Sequence, residues 1–544
     1  MAATEGKEMQ NYTAGMTLEE QIGQLLMVGF PGSIPTQEVL DLIQHYHVGN
    51  IIFFSRNIHD TQQVLELTQT LQKAAHDAGQ HAPLLIAIDQ ENGIVQRLGD
   101  VATLFPGNMA LGAIGSEQIA HDVALAAGRE LQALGINMNL APVVDVNNNP
   151  ANPVIGVRSF GEDPQQVARL GSAMVKGYQE AGIVACLKHF PGHGDTAVDS
   201  HLALPTLPYT LERLEALELV PFKSGIDSGA ESVMIAHIDF PALTQQDALP
   251  ATLSRSIVEG LLREQLGFKG LIISDCLEMK GVSEAFGVEQ AAVKALQAGV
   301  DLVLVSHHHE WQLGSIEAIR AAVQAQELSP TTISQAAERV LALKARYLSS
   351  KAQSPSMPLQ SIGCEAHLQL QHEAYELSTT LVRNQDALLP LHLKAGEQIV
   401  ILSPQRNTAT MVEDRHYADH VLADLIEQYH TPVKRLLVAP GTTESTCKEL
   451  IASTDEADIF IVATVNAHLD QEQAQLVRTL VASGRRVIGL AMRNPYDLAV
   501  FPQLRTFLVT YEYTRPALAA AVRVIFGEQE ARGHLPVTIP GLSI

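Results

Sequence analysis

Leu271-Ile-Ile-Ser-Asp275 decides how this chain folds. An apolar run with no polar alternation reads as a strand buried on both faces, as in a parallel sheet. Its closing aspartate stands where such a strand emerges. The same pattern recurs at Leu25–Phe30, Val48–Phe54, Leu84–Asp89, Met138–Val146, Ala185–Phe190, Ser232–Ile238 and Leu302–Ser306. Helical patterns such as Thr61–Ala78 and Asp163–Ala181 lie between them, opened by Asp, Ser or Thr capping residues. Eight strand–helix pairs between about residues 17 and 345 predict an α/β fold that begins with an N-terminal (β/α)8 TIM-type barrel.

The chain has 544 residues, and single cores stop growing near roughly 250–300 residues. A second domain is therefore expected. Residues 346–363 are rich in Ser, Pro and Gln and read as a linker between a barrel domain over 1–345 and a second domain over 364–544. A helical stretch at Glu365–Leu381 opens that domain. Apolar runs follow at Gln398–Leu402, Val433–Val438, Ile459–Val465, Val487–Ala491 and Thr506–Thr510. They predict an α/β sandwich domain with a mainly parallel sheet.

With 46% hydrophobic residues the chain can bury real cores, and its net charge of −24 argues against nucleic acid or an anionic membrane as partner. A neutral small molecule such as a sugar needs no electrostatic steering. Cys186, Cys276, Cys364 and Cys447 include no CxxC pair, which argues against a disulfide framework or a structural zinc site. The N-terminus carries no basic segment followed by an apolar run, and no uncharged apolar stretch reaches about 18 residues. The expectation is a cytoplasmic monomer or homodimer with no membrane span.

Titratable residues gather where the strand runs end: Asp89, Asp145, Lys188 with His189, His237 with Asp239, Asp275, and His307 to His309. In a barrel these ends form the catalytic face. A rigidly held Asp275 suits attack on an anomeric carbon, although an aspartate closing a strand is also an ordinary helix cap. After Lys188-His189 comes a loop broken by Pro191, Gly192 and Gly194, which carries Asp195, His193 and Asp199-Ser-His201. A carboxylate two residues from an imidazole fixes its tautomer and favours the imidazolium if the two hydrogen bond. Such a histidine can protonate a leaving oxygen and later deprotonate water. Asp89, Arg158 and Lys188 suit recognition of vicinal hydroxyls, with an Arg–Asp structural ion pair as the plainer reading.

At this point the residues resemble a known family. Lys188-His-Phe-Pro-Gly-His-Gly-Asp-Thr196, continuing to Asp199-Ser-His201, is similar to the signature of the N-acetylglucosaminidase branch of glycoside hydrolase family 3. Ser274-Asp275 with Leu277 and Met279 resembles the family's nucleophile motif, and Met492-Arg-Asn-Pro-Tyr-Asp-Leu498 resembles its two-domain members. The resemblance implies Asp275 as nucleophile, His201 as acid/base and Asp199 as its partner. It implies sugar binding by Asp89, Arg97, Arg158, Lys188 and His189, and we add the strand-end residue His237 to that set. The implied activity is a retaining exo-β-N-acetylglucosaminidase acting on chitooligosaccharides or peptidoglycan fragments, with no cofactor and no metal. Asn92, Ile94 and Cys276 depart from the family pattern, which often has Gly, a basic residue and Asp there. The β-glucosidases of the family lack the Asp-Ser-His segment and take their acid/base from the second domain, so here that domain need not be catalytic.

Three other readings compete with this one. A metal-dependent barrel hydrolase would use some of the 21 histidines, but no His-x-His pair follows the first strand. An inactive sugar-binding barrel would not need Asp275, Asp199 and His201 together. A β-N-acetylglucosaminide phosphorylase would exploit a neutral histidine base, which repels phosphate less than a carboxylate does.

Overall fold

The eight apolar runs form eight parallel strands that close on one another because each has two apolar faces to bury. A computed structural model describes residues 12–348, 357–405, 412–413, 420–454 and 457–542. The strands are β1 (Leu26–Val28), β2 (Asn50–Phe53), β3 (Leu85–Ile88), β4 (Met138–Asn139), β5 (Val184–Phe190), β6 (Ser232–Ile235), β7 (Leu271–Cys276) and β8 (Leu302–Val305). They close in the order β1-β8-β7-β6-β5-β4-β3-β2. Along β3, Leu85 and Ala87 point into the lumen with Met27, Ile52, Met138, Val184 and Ile273. Ile86 and Ile88 point outward into the layer shared with the surrounding helices. That two-sided burial is why the runs show no alternation.

Helices start where the capping residues stand. Asp60 accepts from the Gln63 amide at 2.9 Å to open Thr61–Asp77, and Asp163 accepts from the Gln165 amide at 3.0 Å to open Pro164–Glu180. The fourth strand is shorter than expected. Its ladder stops at Asn139, because Pro142 has no amide to donate and the chain pairs again only at Val143. The floor of the barrel is filled by its last helix, Pro330–Tyr347, which sends Val340 and Leu343 into the lumen cluster, joined by Leu348. Between them Lys344 is fully buried and donates to Gln24 Oε1 and the Gly49 carbonyl, each at 2.7 Å.

The second domain holds β9 (Thr380–Asn384), β10 (Ile399–Pro404), β11 (Val433–Val438), β12 (Ile459–Thr464), β13 (Val487–Ala491) and β14 (Thr506–Val509) in the order β9-β14-β13-β12-β10-β11. All pairs are parallel except β9 with β14. The expected helix to Leu381 ends at Ser378. The β-branched residues Thr379, Thr380 and Val382 favour extended backbone, and the segment supplies the antiparallel edge strand. The two domains share apolar packing: Ile94, Val95, Met109 and Ala110 from the barrel side sit in one cluster with Leu490 of the sheet and with Tyr511 and Tyr513, which follow β14. Residues 349–356 of the expected linker lie outside the described residues. Among the described residues no helix is long and apolar enough to cross a membrane.

Candidate active site

A cavity of about 340 Å³ opens at the C-terminal ends of the barrel strands. Asp89, Arg97, Arg158, Lys188, His189, His201 and Asp275 all line it, so one site gathers residues spread over some 190 positions of sequence. A small buried cavity with several convergent polar groups is the usual form of a small-molecule site.

Asp275 is the penultimate residue of β7, fixed by the ladder to β6 and β8, and the Cys276 amide donates to its Oδ1 at 2.7 Å. Burial by itself would raise this carboxyl. The fields of His237, His189 and His201, together with that amide, outweigh burial and hold it below its ordinary value. Asp275 is thus ionised at neutral pH, as a nucleophile requires.

The loop after β5 carries the second group. His201 Nδ1 donates to Asp199 Oδ1 at 2.7 Å, and the His201 amide donates to the same oxygen at 2.9 Å. Asp199 is buried, which raises its carboxyl, but the two donations from His201 prevail and lower it. Nδ1 is committed, so Nε2 is the nitrogen left to act on a ligand, and among the described residues it has no hydrogen-bond partner. The loop itself is tied down. His193 Nδ1 donates to Thr196 Oγ1 at 2.9 Å, and the Thr196 hydroxyl in turn donates to the His193 carbonyl. His193 Nε2 then accepts from Ser200 Oγ at 2.9 Å. Burial pushes His193 down to about 4, which keeps it neutral and suited to that donor–acceptor pattern. The Gly281 amide donates to the Ser200 carbonyl, linking this loop to the one after β7. Gly194 lies so close to the Val146 carbonyl that a Cβ would overlap it.

The remaining polar residues form a buried network of alternating charge. Lys188 donates to Asp89 and lies equally close to Glu91, both at 2.7 Å. Arg158 forks onto Glu91 with two bonds of 2.8 Å, and Arg97 stands 3.5 Å from Asp89. Burial would raise both carboxyls, and the adjacent cations hold them well below the usual range. His189 donates through Nδ1 to Asp145 at 2.8 Å, and Asp145 also accepts from the His193 amide at 2.7 Å. Such a network meets a polyhydroxylated ligand with donors and acceptors already placed.

Two placements differ from the sequence reading. The carboxylate forked by Arg158 is Glu91, while the Arg–Asp ion pair that the sequence offers is made by Arg97 with Asp89. His237 does not line the cavity: its Nδ1 meets Thr252 Oγ1 at 2.7 Å and its Nε2 donates to the Cys276 carbonyl at 3.0 Å. Burial lowers its pKa, and with both nitrogens committed it braces the end of β7. Sequence reasoning also passed over Glu91, Trp311, Glu278 and Val412. Val412 comes from the second domain, lines the cavity, and accepts from Arg97 through its carbonyl at 2.8 Å. Only Glu91 had a local signal, two residues beyond Asp89 in the same segment. Among the described residues no three His, Cys, Asp or Glu side chains converge to hold a metal ion.

Comparison with known proteins adds to this geometry. Residues 17–343 match the profile of the glycosyl hydrolase family 3 N terminal domain, and residues 379–542 match that of the family's C-terminal domain. Beta-hexosaminidase A of Pseudoalteromonas piscicida is 33% identical, over 92% of this chain and 91% of that protein. A solved family 3 beta-N-acetylglucosaminidase from Paenibacillus sp. str. FPU-7 superposes with a TM-score of 0.89 at 38% identity, covering 97% of this chain and 100% of that one. A fungal multi-domain beta-N-acetylglucosaminidase of the same family superposes with a TM-score of 0.91 at 42% identity, covering 97% of this chain and 61% of that longer one.

Proposed function

The chain belongs to glycosyl hydrolase family 3, and from that premise we propose that it is a retaining exo-β-N-acetylglucosaminidase that removes a terminal β-linked GlcNAc by double displacement. The observation that carries this reading is one cavity holding both an ionised carboxylate on a rigid strand end and a carboxylate-oriented imidazole on the neighbouring loop.

The steps follow from those two groups. Asp89, Arg97, Arg158, Lys188 and His189 hold the hydroxyls of the terminal ring. His201 Nε2–H protonates the glycosidic oxygen as the Asp275 carboxylate attacks the anomeric carbon, and the aglycone leaves as an alcohol. A covalent glycosyl–enzyme of inverted configuration remains. The now neutral Nε2 takes a proton from water, the water oxygen attacks the anomeric carbon, and Asp275 departs as a carboxylate. Two inversions give net retention. The Asp199 carboxylate stabilises the imidazolium in both steps. The cavity of about 340 Å³ lies at the low end of the range for small-molecule sites.

The test is to trap the intermediate with a 5-fluoro-GlcNAc donor and map the adduct by mass spectrometry. An adduct on Asp275 is expected, and an adduct on any other residue overturns the mechanism. The same enzyme should release p-nitrophenol from its β-GlcNAc glycoside. Free GlcNAc as the sole sugar product in phosphate buffer identifies water as the acceptor, and GlcNAc-1-phosphate would instead identify a phosphorylase.

A further inference from the structure

His307-His-His309 and Trp311, the only tryptophan in the chain, follow β8, and the proposed chemistry uses none of them. Trp311 is half-buried and lines the same cavity as Asp275, together with His307, His308 and Phe54. The Trp311 and His308 rings lie 4.3 Å apart, and the His307 and Phe54 rings 4.9 Å apart. These residues come from the loop and first helical turn after β8 and from the end of β2, and these two strands flank β1. The loop with His201 comes from β5, on the other side of the strand ring.

This wall is held in place from beneath. The side chain of Glu278, three residues after Asp275, is only 4% exposed. It accepts from the His307 amide at 2.8 Å and lies 2.6 Å from His308 Nδ1. Arg56 braces the other end, 3.0 Å from His307 Nδ1 and 4.3 Å above the Phe54 ring. A buried carboxylate and an arginine thus hold four rings beside the cavity while the outer edge, His308, stays 62% exposed.

We propose that Trp311, with the His308 ring tilted at 55° beside it, forms the aromatic face that binds the leaving-group sugar, and that the ring it selects is an equatorially substituted pyranose, as in a chitooligosaccharide. The C–H face of such a ring carries slight positive charge, and the face of an aromatic ring is negative, so the two attract in a flat contact. That wall and His201 line the same cavity, so a ring on the wall lies in reach of the acid/base loop. A 1,6-anhydro ring holds its substituents axially and offers no such flat face. The proposal rests on the glycosidase reading above and assigns its substrate class.

The experiment compares two substrates, N,N′-diacetylchitobiose and β-GlcNAc azide, whose leaving group carries no ring. In Trp311→Ala the ratio of kcat/KM for chitobiose to that for the azide should fall about tenfold, the scale of one lost aromatic contact, and Trp311→Phe should recover most of it. GlcNAc linked to 1,6-anhydromuramic acid should be slower than chitobiose with the wild type. An unchanged ratio in Trp311→Ala overturns the proposal. A second measurement needs no variant, because the single tryptophan is its own probe. Thio-linked chitobiose, which is not cleaved, should change the intrinsic fluorescence well beyond the change given by GlcNAc, and equal changes overturn the proposal. A fluorescence response without turnover of either substrate would keep the aromatic face and remove the hydrolase reading. Normal turnover with an unchanged ratio would do the reverse.

Discussion

Asp199 and His201 divide one task between charge and proton, and substitutions separate the two. His201→Ala should lower kcat on chitobiose by about 10²–10⁴-fold, the usual worth of acid/base help, and by much less on a dinitrophenyl glycoside whose leaving group needs no proton. Asp199→Asn keeps an acceptor for the His201 amide but removes the negative charge beside the ring. It should cost about 10²-fold on chitobiose, again less on the activated substrate. Steady-state kinetics on both substrates check this, and an equal loss on both would deny the pair a role in protonation. These two residues were legible in the sequence because they are two positions apart and their geometry is local. Glu91 was not read as a partner of Arg158, since the pair is 67 positions apart and only barrel closure brings it together. His237 was legible as a strand-end histidine, but the contacts that commit both its nitrogens come from Thr252 and Cys276, on other elements.

The loop from Pro191 to His201 is the element on which the chemistry turns, and its glycines and proline marked it as a bend in the sequence. What they did not reveal is how firmly it is held, because it packs on Val146 in the loop after β4 and bonds to Gly281 in the helix after β7. The internal tie is His193, and it has a pH signature. Burial puts its folded value at about 4, below its ordinary 6.5. A histidine depressed in this way costs no stability above 6.5. The cost grows as pH falls from 6.5 to 4 and then levels off, reaching about 3 kcal/mol from a shift of that size. Urea unfolding of the wild type should therefore weaken over that interval by more than that of His193→Gln. Parallel curves for the two proteins would show that His193 does not titrate with folding. Gly194→Ala should displace the loop through the Val146 carbonyl, lowering kcat at least about tenfold by misplacing His201, with crystallography as the check on position.

The molecule as a whole is two domains sharing one site, since Val412 reaches into the barrel's cavity and Arg97 reaches back to it. The barrel and the parallel part of the second sheet were plain in the sequence, because buried strands leave long apolar runs. The edge strand Thr380–Asn384 was not, because four of its five residues are half-exposed and it follows a helix after one residue. Lys344 joins the last helix of the barrel to the end of its first helix and to the residue before β2, and burial brings it down to about 7. A lysine lowered in this way is carried charged, at a cost, below that value, and the cost is relieved as pH rises from 7 towards its ordinary 10.5. Wild-type stability should gain up to about 1.4 kcal/mol per pH unit over that span relative to Lys344→Met, measured by urea titration. Identical pH slopes would exclude it. The plug that Lys344 belongs to also sets an order of events. Val340, Leu343 and Leu348 fill the floor beneath all eight strands, yet they are the last residues of the barrel to be made. During synthesis the ribosome must release Leu348 before that floor can fill, so the strands wait, unsealed, for the end of their own domain.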